Sequence, residues 1–223
     1  MENIICEILP QDYNYCDYNF KIILIGDSGV GKSSLIKRIS KDDFQNEHFS
    51  TIGVEFSTFN TKINNKIVKC QIWDTCGQEK FRSLISSFYK NLSLAIIIYA
   101  INDKNSFDNI NLWLNDLKNK ANVDIKIVLI GNKVDLSDER VVSNEELKKF
   151  SQDNNIDLCF ETSAKTGFNA KTVFMECSKI LYFEKEKYNK INNSFDNENN
   201  KIIKINIKKN EKNKRETKDE PCC

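Results

Sequence analysis

The chain has 223 residues, enough for one domain with an ordinary apolar core and an additional segment. Its charge is almost balanced, with 33 basic and 32 acidic residues, so the composition argues against nucleic-acid binding and we expect no nucleic-acid partner. Apolar runs such as LAIIIYAI, at residues 94–101, are far shorter than the roughly 20 residues of a membrane-spanning helix, and they predict buried strands.

Five short apolar runs predict the core strands. Because these runs are nearly continuous in Ile, Leu and Val, they favour parallel strands that are covered on both faces. The runs lie at residues 20–25, 66–73, 94–100, 125–131 and 157–161. Residues 51–63 read differently: with residues 66–73 they predict an antiparallel hairpin, whose turn contains Asn64 and Asn65, residues that tolerate positive φ.

Helix-length amphipathic segments follow the core strands. The predicted helices begin at Lys32, cover residues 105–121 and 143–155, and extend from about Asn169 to Tyr188. Ser143, followed three residues later by Glu146, predicts a capping box at the start of the third helix. Alternating strands and helices indicate a doubly wound α/β domain, which binds its ligand at the carboxyl ends of the strands.

Composition divides the chain into three segments. We expect residues 1–18 to be a flexible N-terminal extension, residues 19–186 to be the α/β domain, and residues 187–223 to be a disordered tail rich in Asn, Lys and Glu. The extension lacks the basic region and cleavage site of a secretory signal. Without a C-x-x-C pair or an export signal, the cysteines are expected to be reduced in the cytosol.

The sequence GDSGVGKS, residues 26–33, fits the pattern G-x-x-x-x-G-K-[ST] between a predicted strand and a predicted helix. Gly29 and Gly31 allow backbone N–H groups to surround phosphates at a helix N-terminus. Lys32 would place its ammonium at the β- and γ-phosphates, and Ser33 would give its hydroxyl to Mg²⁺. The segment therefore predicts a nucleoside-triphosphate site.

The sequence GNKVD, residues 131–135, indicates which base is bound. Asp135 can accept two hydrogen bonds from the N1–H and exocyclic amine of guanine, whereas adenine would leave the carboxylate unpaired. The sequence ETSAK, residues 161–165, can supply the backbone N–H of Ala164 to the guanine oxygen. The order of these motifs after GDSGVGKS favours a guanine nucleotide.

Together these motifs resemble those of the Ras-superfamily small GTPases, and specifically the Rab family, over roughly residues 18–185. The sequence STIGVEF, residues 50–56, resembles switch I, and WDTCGQEKF, residues 73–81, resembles switch II. The resemblance implies a monomer with the P-loop NTPase, or small G-protein, fold. That α/β fold has a six-stranded, mostly parallel sheet with one antiparallel edge strand and helices on both faces.

The same resemblance implies the residues that bind GTP or GDP and the cofactor Mg²⁺. The implied nucleotide-binding residues are Ser28, Gly29, Val30, Gly31, Lys32, Ser33, Ser34, Phe44, Thr51, Gly77, Asn132, Lys133, Asp135, Ser163, Ala164 and Lys165. Ser33 and Thr51 match Mg²⁺ ligands, and Asp74 matches a carboxylate that holds Mg²⁺ through a water. Gln78 matches the residue that orients the attacking water, which implies an enzyme that hydrolyses GTP to GDP and phosphate.

Hydrolysis is expected to be slow without a GTPase-activating protein. No arginine lies between Lys41 and Thr51, so such a partner would supply the arginine, worth about 10³–10⁵ in rate. Cys76 replaces an alanine that is usual in the family, and an alternative reading is a GTP-bound, effector-binding scaffold in which this thiol leaves hydrolysis negligible. A metabolic P-loop kinase is a third reading, against which NKVD and SAK argue.

The Rab resemblance also implies an effector surface and a set of protein partners. The residues of the effector surface are Ile52, Phe56, Trp73, Phe88 and Tyr89. Exposed aromatic residues beside two switches are suitable binding anchors. The implied partners are effector proteins, a guanine-nucleotide exchange factor, a GTPase-activating protein, an escort protein and a GDP-dissociation inhibitor.

The chain ends in Cys222 and Cys223, which match the acceptors of two geranylgeranyl groups in Rab proteins. Two lipid chains give stable membrane attachment where one gives marginal binding. The resemblance thus implies a switch that directs vesicle trafficking on the cytoplasmic face of endomembranes, with a cytosolic pool. FRSLI and ETSAKTGFN resemble Golgi-associated Rab proteins, whereas LWLNDL resembles Rab proteins of the endoplasmic reticulum; we favour the Golgi.

Overall fold

The computed structural model describes residues 4–44, 51, 53–78, 81–121 and 125–192. Within these residues the strands are β1 (Cys6–Leu9), β2 (Tyr18–Ile25), β3 (Val54–Ile63), β4 (Lys66–Thr75), β5 (Leu94–Ala100), β6 (Lys126–Asn132) and β7 (Leu158–Glu161). The α-helices are α1 (Lys32–Lys41), α2 (Arg82–Ser86), α3 (Lys104–Asp108), α4 (Ile110–Lys120) and α5 (Asn144–Asp153), with 3-10 turns at Ser87–Tyr89 and Val134–Glu139. Residues 170–182 form a further helix, α6.

The strands form one mixed sheet in the order β1-β3-β4-β2-β5-β6-β7. Strands β4, β2, β5, β6 and β7 pair in parallel, while β1 with β3 and β3 with β4 are antiparallel. All seven residues of β5 are buried, as expected for a central strand covered on both faces. The five predicted apolar runs are all strands, and the predicted hairpin turn has Asn64 at φ 54°.

The predicted count of six strands is wrong, because the described residues form seven. The additional strand, β1, lies inside residues 1–18, which we expected to be a flexible extension. It pairs antiparallel with β3, with Cys6 opposite Ile63 and Leu9 opposite Asn60. Strand β1 therefore covers residues 60–63 of β3 and leaves residues 54–59 as the edge of the sheet on this side. Pairing satisfies backbone N–H and C=O groups that an edge strand would leave open, which gives this short segment a reason to be ordered.

Side chains of the hairpin hold the chain that follows β1. The buried amide of Asn60 donates to the carbonyl oxygens of Pro10 at 2.8 Å and Gln11 at 3.1 Å. Thr58 and Gln11 also exchange two side-chain to backbone hydrogen bonds. At the start of β2, the Asp17 carboxylate accepts from the Ile67 N–H at 2.8 Å and from the Lys66 ammonium at 2.9 Å. These donors, the Ile67 N–H first, lower the pKa of Asp17 below its usual range.

Two apolar clusters cover the two faces of the sheet. One cluster includes Leu35 and Ile36 from α1 with Val173 and Phe174 from α6. The cluster on the other face includes residues from α2, α4 and α5, such as Ile85, Trp113, Leu114 and Leu147. The α/β class, the mostly parallel sheet and the helices on both faces are thus confirmed.

The predicted helix at residues 105–121 is interrupted. Helix α3 ends at Asp108 and α4 begins at Ile110, with Asn109 between them. Helix α5 begins as predicted, since the Ser143 hydroxyl accepts from the Glu146 N–H at 3.1 Å. The Glu146 carboxylate pairs with Lys104, so this contact links α5 to α3.

The chain separates into two compact units, Met1–Tyr182 and Phe183–Cys223. In the second unit, the described residues 183–192 are helical. The helical segment therefore continues past Tyr188, near which we predicted the last helix to end. None of the helices in the described part of the chain combines the length and apolarity that a bilayer crossing requires.

Replacing Asn60 with alanine should release the segment after β1. The change removes two hydrogen bonds and leaves the Pro10 and Gln11 carbonyl oxygens without this donor, so we expect a loss of about 1–3 kcal/mol in the free energy of unfolding. Urea unfolding measures the loss, and limited proteolysis should show faster cleavage between residues 9 and 18. Asn65→Ala, in the exposed hairpin turn, is the matched control; an equal loss in both variants would contradict the assignment.

Candidate functional site

The loop between β2 and α1 is shaped around the Lys32 ammonium. Lys32 is the first residue of α1, and its Nζ donates to the carbonyl oxygens of Gly26 and Asp27, both at 2.8 Å. Gly31, just before the helix, has φ 99°, a left-handed conformation that glycine adopts without strain. The loop thus turns back over the N-terminus of α1, where unpaired N–H groups attract anions.

Lys32 lies beside the carboxylate of Asp74 at the end of β4, and both side chains are buried. Burial lowers the pKa of Lys32 to about 8, although Asp74 and Asp27 act in the opposite direction. Burial likewise raises the pKa of Asp74 to about 6, against the opposing effects of the Ser33 hydroxyl and the Lys32 ammonium. Two desolvated charges that compensate each other only partly would gain from an anion at Lys32 and a cation at Asp74.

Two glycines leave room that a side chain would fill. A Cβ at Gly77 would collide with the backbone of Asp27 and with Lys32 Nζ, so the chain after β4 passes directly over the loop. A Cβ at Gly31 would collide with the amide nitrogen of Asn132. The site therefore depends on glycine at both positions for close approach of three chain segments.

The three residues predicted to hold Mg²⁺ lie together. The Ser33 and Thr51 hydroxyl oxygens are 2.6 Å apart. Hydrogen bonding by the Ser33 hydroxyl opposes the rise in the pKa of the Asp74 carboxylate. Among the described residues, Asp74 Oδ1 is buried without a hydrogen-bond partner. Hard oxygen donors of this kind suit Mg²⁺, which keeps several waters and uses one or two protein ligands, so the donor set fits that ion. The described residues contain no cluster of three His, Cys, Asp or Glu side chains that could hold another metal.

A pocket opens next to the loop, at the carboxyl ends of β6 and β7. Its lining residues lie in or next to three of the predicted motifs, together with Phe44, and all but one of them had been predicted to bind the nucleotide. They are Gly31, Ser34, Phe44, Asn132, Lys133, Asp135, Leu136, Ala164 and Lys165. Leu136 is the addition, and no motif position in the sequence indicated it.

Asn132 joins the pocket to the loop between β2 and α1, residues 26–31, which is the predicted phosphate loop. Its amide nitrogen donates to the Val30 carbonyl oxygen at 2.8 Å, and its amide oxygen accepts from the Thr162 hydroxyl at 3.1 Å and the Ala164 N–H at 3.2 Å. The Ala164 N–H, which we expected to face the guanine oxygen, therefore has a protein acceptor in this structure. Asn132 acts here as the link between three loops.

Ser163 orients Asp135. The Ser163 hydroxyl donates to Asp135 Oδ1 at 2.5 Å and accepts from the Thr166 N–H at 3.0 Å. Lys133, between Asn132 and the turn that carries Asp135, has φ 68°. A non-glycine residue held in this region stores strain of the kind found at binding sites.

Arg38 is a residue of this site that no motif indicated. Its guanidinium, on α1, donates to the Ala164 carbonyl oxygen at 2.8 Å and to the Lys165 carbonyl oxygen at 2.7 Å. These contacts hold the loop after β7 against α1. The only sequence signal was an arginine on a predicted helix, and helix periodicity does not show where a long side chain ends.

Switch II is described up to Gln78 and again from Phe81. The Phe81 N–H donates to the Gln78 carbonyl oxygen at 3.0 Å, which turns the chain into α2. Cys76 is buried in the apolar cluster of α2 and α4, with Ile85 and Tyr89. Ser28 and Gly29 lie at the exposed tip of the phosphate loop.

Three residues of the predicted effector surface lie together. The Phe56 and Trp73 rings are 5.4 Å apart, and the Trp73 and Phe88 rings are 5.3 Å apart, so these three residues form one continuous surface. Phe56 is 55% exposed, whereas Tyr89 is fully buried, so its assignment to the surface is wrong. Tyr89 is the last residue of a 3-10 turn that directs its ring into the core. Ile52 lies outside the described residues.

Comparison with known proteins agrees with this geometry. Residues 21–183 match the profile of the Ras family. The chain belongs to the Ras family. It is 44% identical over 192 residues to the Ras-related protein Rab-11B of Dictyostelium discoideum, covering 84% of this chain and 86% of that protein. It is 48% identical over 158 residues to the GTP-binding protein ypt3 of Schizosaccharomyces pombe, covering 71% and 73%, and 44% identical over 166 residues to Rab11B of Nicotiana tabacum, covering 74% and 76%.

Within the Ras family these relatives identify a Rab-type small GTPase. The protein therefore binds and hydrolyses GTP and acts in vesicle trafficking, through effector and regulatory proteins. The scaffold reading that depended on Cys76 has no support from the relatives.

Arg38→Ala should loosen the guanine-nucleotide pocket of this Rab protein. Removing charged donors from two loop carbonyl oxygens should cost about 1–3 kcal/mol of unfolding free energy. It should also release GDP at least about threefold faster, because Ala164 and Lys165 line the pocket. Displacement of a fluorescent GDP analogue measures the rate. Lys41→Ala, an exposed basic residue on the same helix, is the control, and unchanged GDP release in Arg38→Ala would contradict this role.

Proposed function

We propose that this Rab GTPase recognises guanine through Asp135 and senses the γ-phosphate through Thr51 and Gly77. The observation that carries the proposal is the convergence of the five predicted motifs on one pocket and one charged loop. Asp135, oriented by Ser163, accepts from the N1–H and exocyclic amine of guanine. Phe44, Lys133 and Lys165 enclose the base, with Asn132 holding the surrounding loops.

The phosphates lie over the loop that surrounds Lys32. The ammonium, already fixed by the Gly26 and Asp27 carbonyl oxygens, has a remaining proton to donate to the β- and γ-phosphate oxygens. Ser33 and Thr51 would be the ligands for Mg²⁺, and Asp74 would hold it through a water. Bound Mg²⁺ would neutralise part of the negative charge of the phosphates.

Switching follows from which residues contact the γ-phosphate. Thr51 from switch I and the Gly77 N–H from switch II hold that group, so its loss on hydrolysis frees both segments. Gln78 orients the attacking water for in-line displacement. Because no arginine lies between Lys41 and Thr51, a GTPase-activating protein is expected to add the missing positive charge.

Effectors dock on the aromatic surface formed by Phe56, Trp73 and Phe88, next to both switches. Lys21 Nζ lies 5.1 Å from the centre of the Trp73 ring, which adds a positive charge beside this apolar patch. Aromatic anchors next to a fixed charge are typical of protein-binding hot spots. The chain acts as a monomer with an exchange factor, an escort protein and a GDP-dissociation inhibitor as further partners.

Membrane attachment is proposed to occur through geranylgeranyl groups on Cys222 and Cys223, the end of a tail from residue 187 that is separate from the nucleotide-binding domain, residues 19–186. Seven basic residues between Lys201 and Arg215 can add about 1 kcal/mol each on an anionic leaflet. The protein then cycles between a cytosolic pool and the cytoplasmic face of endomembranes. The resemblance of FRSLI and ETSAKTGFN to Golgi-associated Rab proteins supports the Golgi as its compartment.

Gln78→Leu should slow single-turnover GTP hydrolysis at least about tenfold, because the attacking water loses its orienting group. GTP affinity should change little, since Gln78 is outside the pocket lining. Cys76→Ala is the matched control in the adjacent segment, and we expect its rate to stay within about twofold of the parent chain. Equal rates for Gln78→Leu and the parent would remove Gln78 from the mechanism.

Replacing both terminal cysteines by serine should move the protein from membranes to the cytosol. Single replacements should give intermediate retention, because one lipid chain binds a bilayer only marginally. Fractionation and immunofluorescence of the untagged chain with a Golgi marker measure both attachment and compartment. Cys159→Ser is the control, a partly buried thiol in β7. Continued membrane association of the double variant would contradict the lipid proposal.

A further inference from the structure

Trp113 connects the phosphate loop to α4. The indole is almost fully buried, and its Nε1 donates to Asp27 Oδ1 at 2.9 Å. Asn109, at the break between α3 and α4, donates to the other oxygen, Asp27 Oδ2, at 2.6 Å. Both oxygens of this carboxylate therefore bind α4 or the residue that precedes it, while the carbonyl oxygen of Asp27 accepts from Lys32.

The face of the same indole contacts Arg82, the residue that follows switch II. The guanidinium carbon of Arg82 lies 4.6 Å from the centre of the Trp113 ring, within range of a cation–π interaction. Arg82 Nε is buried and has no hydrogen-bond partner among the described residues, so the ring is an important compensation for burying this charge. The hydrogen bond to Asp27 uses the edge of the indole and Arg82 uses its face, so both contacts form together.

Arg82 is close in sequence to Gln78, the proposed water-orienting residue. It is the first residue of α2, and the Phe81 N–H before it donates to the Gln78 carbonyl oxygen at 3.0 Å. Because Arg82 is held against the Trp113 ring, the position of the nearby Gln78 backbone is restricted.

We propose that Trp113 is a positioning residue for hydrolysis, which holds Asp27 of the phosphate loop and Arg82, directly after switch II, in a fixed relative position. Neither Trp113 nor Arg82 lines the nucleotide pocket, so they act through Lys32 and Gln78. The inference rests on the proposed role of Gln78. Loosening either contact slows hydrolysis, because the two halves of the site lose their common support.

A double-mutant cycle between Asp27 and Arg82 tests this coupling. Asp27→Ala and Arg82→Ala should each slow single-turnover hydrolysis of preloaded GTP by about 3–10-fold, and the double variant should be no slower than the slower single variant within about twofold. Multiplied effects would overturn the coupling. Unchanged hydrolysis combined with lower stability would also overturn it, because Trp113 would then be only a core residue.

Two variants make the cycle specific. Asp27→Asn should keep the parental rate within about twofold, since its amide oxygen still accepts from Trp113 and the Asn109 amide can rotate to accept from the new amide nitrogen. Lys104→Ala is the control: it removes a cation that lies 4.8 Å from the centre of the Phe107 ring, and Phe107 belongs to the same apolar cluster as Trp113. Because this cation does not contact the phosphate loop, we expect hydrolysis to be unchanged. A slow Asp27→Asn variant would contradict the proposed hydrogen bond.

Fluorescence separates this inference from the role of Gln78. The chain has two tryptophans, so Trp73→Phe leaves Trp113 as the single emitter. Exchanging GDP for a non-hydrolysable GTP analogue should shift its emission, and Arg82→Ala should abolish the shift. An unchanged emission in the Trp73→Phe chain would overturn the coupling even if Gln78→Leu is inactive. If the Trp113 emission shift is normal and Gln78→Leu still hydrolyses GTP at the parental rate, only the proposed role of Gln78 is refuted.

Discussion

The buried Lys32 ammonium is the constraint on which the rest of the site depends. A desolvated cation needs acceptors, and the Gly26 and Asp27 carbonyl oxygens supply them only if the loop takes its left-handed turn at Gly31. The neighbouring Asp74 supplies part of the compensating charge. The sheet brings these groups together because β2 and β4 are adjacent and parallel, so their carboxyl ends meet at one edge.

The base pocket and the phosphate loop form one connected unit because polar side chains cross between them. Asn132 contacts Val30, Thr162 and Ala164, and Arg38 reaches the same loop from α1. Each contact satisfies a carbonyl, hydroxyl or N–H group that would be costly to bury unpaired. Direct hydrogen bonds therefore connect the two loops.

Sequence patterns predicted the parts of this Rab structure whose spacing is fixed by local chemistry. The apolar runs became strands, Ser143 capped α5, and residues in or next to GDSGVGKS, GNKVD and ETSAK line one pocket. Strand β1 was missed because four residues carry too little periodicity. In addition, the chain just after β1 is held by Asn60, which is distant in sequence. The burial of Tyr89 and the reach of Arg38 were also missed, since tertiary packing decides where these side chains end.

Strand β1 has a consequence for how Rab molecules meet one another. Within the described residues, the two outer strands of the sheet, β1 and β7, have only four residues each, whereas β3 has ten. The chain's own beginning pairs with residues 60–63 of that long edge, which shortens the part of β3 left open to residues 54–59. Short outer strands are poor templates for aggregation through the backbone. Crowded on a vesicle surface, neighbouring copies would therefore find a shorter ribbon on which to polymerise.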